Sequence, residues 1–173
     1  PSSAASDVYK RQAQYKIKHE GVNKNDVWPL VIVTKKSLVL PTKREVEVWL
    51  HGAHVHAVTG PKTYDIPDDA QVIVVPLTSL NKCYESIIDK NPQGVIYDES
   101  HMVKNLNAKR TKIALDLANH IRKNVDKPYI VCASATPMPN RPAELYSQLA
   151  ITGMDKPIIE EAEKNQKFPA RTK

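Results

Sequence analysis

Glycine is scarce in this chain: five residues in 173, against thirteen prolines. That balance disfavours a fold built on glycine-rich loops. Cysteine is scarcer still. Cys83 and Cys132 each lie in or beside an apolar stretch and read as small core residues in a reducing compartment, which excludes a disulfide framework and a cysteine metal site. No apolar run approaches the length of a membrane span and no signal-peptide pattern opens the chain, so the expected setting is the cytoplasm, or the nucleus in a eukaryote, with no membrane partner. No internal repeat is visible. What is present is ordinary for a globular domain: 41% apolar and 25% charged residues, enough for one respectable core. A formal charge of +6 fits a nucleic-acid partner and fits a solvated basic surface equally well.

Along the chain, residues 1–20 are small and polar and read as a disordered or non-native tail. Residues 21–153 alternate strands and helices, and 154–173 turn charged and proline-containing, as a linker or ragged C-terminus would. Leu30 to Val33 is a buried strand, followed by a helix over Ser37 to Leu50 with Pro41 in its first turn. A weaker strand covers Ala53 to Val58, where His54 and His56 interrupt the apolar pattern. With no third ligand at metal spacing, a surface or edge position is expected for both histidines. Gln71 to Val75 is the third strand, with a short helix over Thr78 to Asp89, and Asn91-Pro92-Gln93-Gly94 is a turn. Val95-Ile96-Tyr97 is apolar on both faces. A helix over Ala108 to Lys123, a strand over Tyr129 to Ala133 and a helix over Arg141 to Leu149 complete the pattern, which predicts a three-layer α/β/α fold on a mostly parallel sheet.

Two polar clusters fall at strand carboxyl ends, where open α/β sheets bind ligands. The first is Asp98-Glu99-Ser100-His101. Adjacent carboxylates repel, so holding both ionised favours a hard cation such as Mg2+, although the same residues would also serve as a polar strand end capping the next helix. The second is Ser134-Ala135-Thr136. If neighbouring strands bring the two together, the crevice suits nucleotide hydrolysis: one carboxylate for Mg2+, another for the attacking water, and hydroxyls near the γ-phosphate. Gly60-Pro61-Lys62-Thr63 imitates the end of a phosphate-binding loop but is rejected, because Val55 stands where such a loop requires glycine and Pro61 removes a backbone N–H.

Val95 to His101 followed by Lys104-Asn105 resembles the Walker B (DExH) box of the Snf2 family of helicase-like ATPases. Ser134-Ala135-Thr136-Pro137, with Asn140 and Glu144-Leu145-Tyr146, is similar to the family's motif III region. The run Arg141 to Tyr146 resembles the annealing-helicase branch and its bacterial and phage relatives. Leu30 to Val33 with Ser37-Leu38, Lys43 to Val46 and Trp49-Leu50 is similar to motif Ia and its following helix. The resemblance covers about Trp28 to Gly153 and implies a first RecA-like lobe of a P-loop NTPase, truncated at its N-terminus, that uses ATP and Mg2+ on double-stranded DNA. It implies that Asp98 holds Mg2+, usually through water, that Glu99 is the catalytic base, and that His101, Ser134 and Thr136 couple the nucleotide site to motif III. Lys35 and Ser37 become candidates for DNA-backbone contact, and Lys104 and Asn105 for a structural or DNA-side role. Ser100 replaces the commoner Ala. The family's glycine-rich Gly-Lys-Thr loop and its second RecA-like lobe, with arginine fingers, are missing. The expected chain is therefore a fragment that binds ATP poorly and hydrolyses almost none alone; the alternative is a catalytically inactive DNA-binding module.

Overall fold

The computed structural model describes residues 27–105, 107–135 and 143–154. Five strands form one sheet: β1 (Leu30–Thr34), β2 (Val55–Ala57), β3 (Val72–Pro76), β4 (Gly94–Asp98) and β5 (Tyr129–Ala133), in the order β2-β3-β1-β4-β5. Every pairing among them is parallel. Four helices are described: α1 (Val39–Trp49), α2 (Tyr84–Ile88), α3 (Lys109–Asn124) and α4 (Ala143–Thr152).

The apolar runs explain the layering. Successive side chains of a strand point to opposite faces. Leu30 and Ile32 of β1 join Val72, Val74 and Ile96 on one face, covered by Val39 and Val46 of α1. Val31 and Val33 join Ile73, Val75, Val95 and Tyr97 on the other, covered by Ala114, Leu117, Ala118 and Ile121 of α3, Ile87 of α2 and Ile151 of α4. Burying each valine, leucine or isoleucine of these faces contributes roughly 1.5–3 kcal/mol against conformational entropy. The predicted α/β/α layering on a parallel sheet is what forms.

Several details depart from the sequence pattern. The helix expected from Ser37 begins instead as a 3-10 turn over Lys36–Leu38. The stretch Thr78 to Asp89 breaks into a turn at Leu80–Lys82 and the five-residue α2, divided at Cys83. Helix α4 runs to Thr152, beyond the expected Leu149. Gly94, expected in a turn, is the first residue of β4, where a Cβ would stand 2.6 Å from the Cβ of Tyr129 and 2.8 Å from its carbonyl oxygen. Only glycine lets β4 meet β5 there.

The minor expectations can be placed too. Strand β2 lies at the sheet edge. His54 Nδ1 is 2.8 Å from Asp69, and His56 Nε2 is 2.9 Å from the Thr63 carbonyl, so the two rings serve different neighbours. Both cysteines are free thiols. Cys83 is a core residue, as expected, while Cys132 is only partly buried against the core; burial pushes the Cys83 thiol up to about 11 and the Cys132 thiol up to about 12. No helix among the described residues is long and apolar enough to cross a membrane.

Candidate active site

The sheet order places its switch point beside β1. From β1 the chain builds β2 and β3 on one side, then crosses to lay down β4 and β5 on the other. In open α/β sheets, ligands gather outside the strand carboxyl ends at such a reversal. Here those ends are Thr34 on β1 and Asp98 on β4, and the buried Thr34 hydroxyl donates to Asp98 Oδ2 at 3.1 Å.

Asp98 Oδ1 accepts the Glu99 backbone N–H at 3.1 Å. Burial raises the Asp98 carboxyl above its ordinary value; the Thr34 hydroxyl opposes that rise, and the nearby charges of Glu99 and Glu45 reinforce it. A carboxylate held in this way gains from a nearby cation, which reverses the electrostatic penalty. Its oxygens keep lone pairs beyond the two bonds described. Among the described residues, no group of three or more His, Cys, Asp or Glu is placed to hold a metal. A lone carboxylate with free lone pairs suits an ion such as Mg2+, which keeps several waters and is held by one or two carboxylates together with phosphate oxygens.

Glu99 ends the strand with a left-handed backbone, φ 55° and ψ 46°. A non-glycine residue in that region costs about 1–3 kcal/mol and persists only where its surroundings impose it. The reversal starts a 3-10 turn over Ser100–Val103, in which the Met102 N–H donates to the Glu99 carbonyl at 3.0 Å. It also sets Glu99 Oε2 3.1 Å from His101 Nδ1. The same nitrogen lies 3.3 Å from Ser134 Oγ, just past the end of β5. A protonated Nδ1 can be shared between carboxylate and hydroxyl, whereas the other tautomer accepts from Ser134 and faces the carboxylate without a proton.

Of the residues singled out by sequence, the structure thus brings Asp98, Glu99, His101 and Ser134 into one continuous group. Thr136, Asn140 and Arg141 lie outside the described residues, as does the Glu144 side chain. Lys35 follows Thr34 directly, and Ser37 is exposed in the turn after it. Lys104 and Asn105 follow the Ser100–Val103 turn. Asn105 Oδ1 accepts the Asn107 N–H at 2.9 Å and its carbonyl accepts the Ala108 N–H at 3.0 Å, which shapes the entry to α3.

Two participants carried no sequence signal. Thr34 looked like an ordinary strand end. Gln148 of α4, buried, accepts the Ser100 hydroxyl at 2.6 Å. The rejected Gly60-Pro61-Lys62-Thr63 stretch follows β2, with β3 and β1 between it and β4. The backbone N–H groups of Thr59 and Gly60 donate to Thr63 Oγ1, so the loop satisfies its own donors.

A family profile described as the SNF2-related domain matches residues 6–162, starting inside the expected tail and ending inside the expected linker. The chain is 28% identical over 131 residues to the Caenorhabditis elegans homolog of SWI/SNF-related matrix-associated actin-dependent regulator of chromatin subfamily A-like protein 1, covering 72% of this chain and 18% of that protein. It is 30% identical over 129 residues to human DNA annealing helicase and endonuclease ZRANB3, covering 70% of this chain and 11% of that protein. Among solved structures, the Sulfolobus solfataricus SWI2/SNF2 ATPase core in complex with dsDNA superposes with a TM-score of 0.59 at 16% identity, covering 90% of this chain and 34% of that one. The chain spans less than a fifth of the length of these two relatives.

Proposed function

This chain belongs to the SNF2-related family, and on that premise we propose that it is part of a first RecA-like lobe whose longer protein couples Mg-ATP hydrolysis to translocation on, or annealing and remodelling of, duplex DNA. The observation that carries this reading is the group at the switch point: Asp98 tied to β1, Glu99 in a left-handed turn beside it, and His101 bridging Glu99 to Ser134. Asp98 would hold Mg2+, largely through water. An ion held there would supply positive charge to offset that of a bound phosphate. Glu99 orients the attacking water and accepts its proton, its carboxylate kept in place by His101. Through Ser134, His101 links that carboxylate to the segment after β5, where Thr136 follows. Lys35 and Ser37 serve the DNA backbone, Asn105 shapes the entry to α3, and Lys104 beside it takes a structural or DNA-side role. A second RecA-like lobe supplies the opposite wall of the cleft. The setting is the nucleus or, for a bacterial or phage protein, the cytoplasm.

Glu99→Gln in the longer protein tests the assignment. It keeps the shape of the side chain and removes its basicity, so nucleotide binding persists while ATP turnover falls at least a hundred-fold, in the range that general bases supply. Turnover within two-fold of the wild type overturns the assignment of Glu99.

A second reading is favoured by one observation: none of the five glycines, Gly21, Gly52, Gly60, Gly94 and Gly153, is followed by lysine. Within these residues there is no Gly-Lys-Thr loop to deliver a phosphate, so the isolated chain is expected to be inactive and could act as a DNA-binding module. Salt-dependent DNA binding by the isolated chain, indifferent to nucleotide, supports that reading, and no binding at low salt removes it.

A further inference from the structure

We infer that Gln148 is a positioning residue for Glu99, acting through Ser100; the functional weight of this rests on Glu99 being the group that handles the attacking water. Glu99 occupies a backbone region that a residue with a side chain enters only when held there. Two of the bonds around it are local: its N–H to Asp98 Oδ1, and its carbonyl to the Met102 N–H. Bonds within a turn move with the turn and do not fix it to the rest of the fold. The next residue supplies a tie beyond the turn. Ser100 Oγ donates to Gln148 Oε1 at 2.6 Å across 48 residues of sequence. With its amide oxygen turned toward Ser100, Gln148 accepts and the hydroxyl donates.

Both side chains are buried. Water therefore does not compete for the bond, and removing Gln148 takes a buried acceptor from the Ser100 hydroxyl. The position of Gln148 gives the tie its meaning. It lies on α4, the helix that follows the segment after β5, while the adjacent His101 reaches Ser134 at the start of that segment. Consecutive residues of one turn thus grip both ends of the 134–148 stretch. A shift of α4 against β4 pulls on Ser100, and so on the strained peptide that aims the Glu99 carboxylate. This makes α4 a lever on the candidate base, though Gln148 touches no reacting atom.

Amide hydrogen exchange on the isolated chain, without nucleotide, tests this. Gln148→Leu should speed exchange of the Glu99 and Met102 amides about ten-fold beyond any change at the Ile96 and Val131 amides of the sheet, which is the size expected for one buried hydrogen bond. Ser100→Ala should give the same local pattern from the other partner. Equal acceleration in turn and sheet, loss of the fold in both variants, or no acceleration overturns the inference and leaves Gln148 a packing residue. Because no nucleotide takes part, this result is separate from the ATPase reading, which stands or falls on Glu99→Gln in the longer protein.

Discussion

Replacing Thr34 by valine keeps the branched shape at the centre of the sheet and deletes one hydroxyl. That hydroxyl donates to Asp98 at 3.1 Å. A hydrogen bond to a charged acceptor contributes about 1.5–3 kcal/mol net. Asp98 is only half-buried, so solvent recovers part of the loss, and the expected cost at neutral pH is about 1–2 kcal/mol. The pH dependence is more telling than the magnitude. The folded Asp98 carboxyl lies above its ordinary value of 3.8, chiefly through burial. Between 3.8 and that raised value the native state binds more protons than the unfolded chain, so stability falls as pH rises through the window. The Thr34 bond favours the ionised form, and its loss moves the upper edge of the window higher. The Thr34→Val penalty is therefore fully present above the window and shrinks as pH is lowered through it. Urea unfolding from pH 7 down to about pH 4 measures this, with Asp98→Ala completing a double-mutant cycle in which the Thr34 substitution costs almost nothing. A penalty that is the same at every pH, or that survives undiminished beside Asp98→Ala, refutes the pairing.

Two further substitutions probe the backbone around the site. Gly94→Ala forces a Cβ to within 2.6 Å of Tyr129 Cβ and 2.8 Å of a carbonyl, so urea unfolding should show a loss of at least about 1–3 kcal/mol; a midpoint equal to wild type contradicts the close approach of β4 and β5. Glu99→Gly relieves the left-handed backbone of a residue with a side chain. After the offsetting entropy gained by the unfolded chain, it should stabilise the fold by about 0.5–1 kcal/mol. A lower melting temperature in calorimetry would count against stored strain at Glu99.

The elements most legible in the sequence were those whose signal is local. Tyr129 to Ala133 is written as a strand and is one, and the apolar run ending at Asp98-Glu99 announced both a buried strand and a polar terminus. Since β4 and β5 are neighbours, the expectation that the two polar clusters would meet required only that adjacent strands pair. What escaped was set by distant partners or by backbone conformation. Thr34 is a threonine at a strand end, and nothing in its surroundings points to a carboxylate 64 residues away. Gln148 sits in a helix whose apolar stripe hides a buried amide. Glutamate carries no preference for positive φ, so the left-handed turn at Glu99 had no compositional marker, unlike one built on glycine or asparagine. The division of the Thr78 to Asp89 stretch at Cys83 was equally silent, because that stretch contains no glycine and no proline.

The central place of β1 bears on how the chain acquires its shape. A strand made early must wait for partners made much later: β3 on one flank, and on the other β4, whose Asp98 meets Thr34 across 64 residues. Parallel pairing offers no hairpin to nucleate the sheet, and every ladder closes a long loop before its contacts return any free energy. Such topologies fold slowly for their size. The carboxylate at the switch point has no Thr34 partner until β1 and β4 pair. Its bond to Thr34 exists only once β4 lies against β1, so that bond is itself a marker that this long-range join has been made.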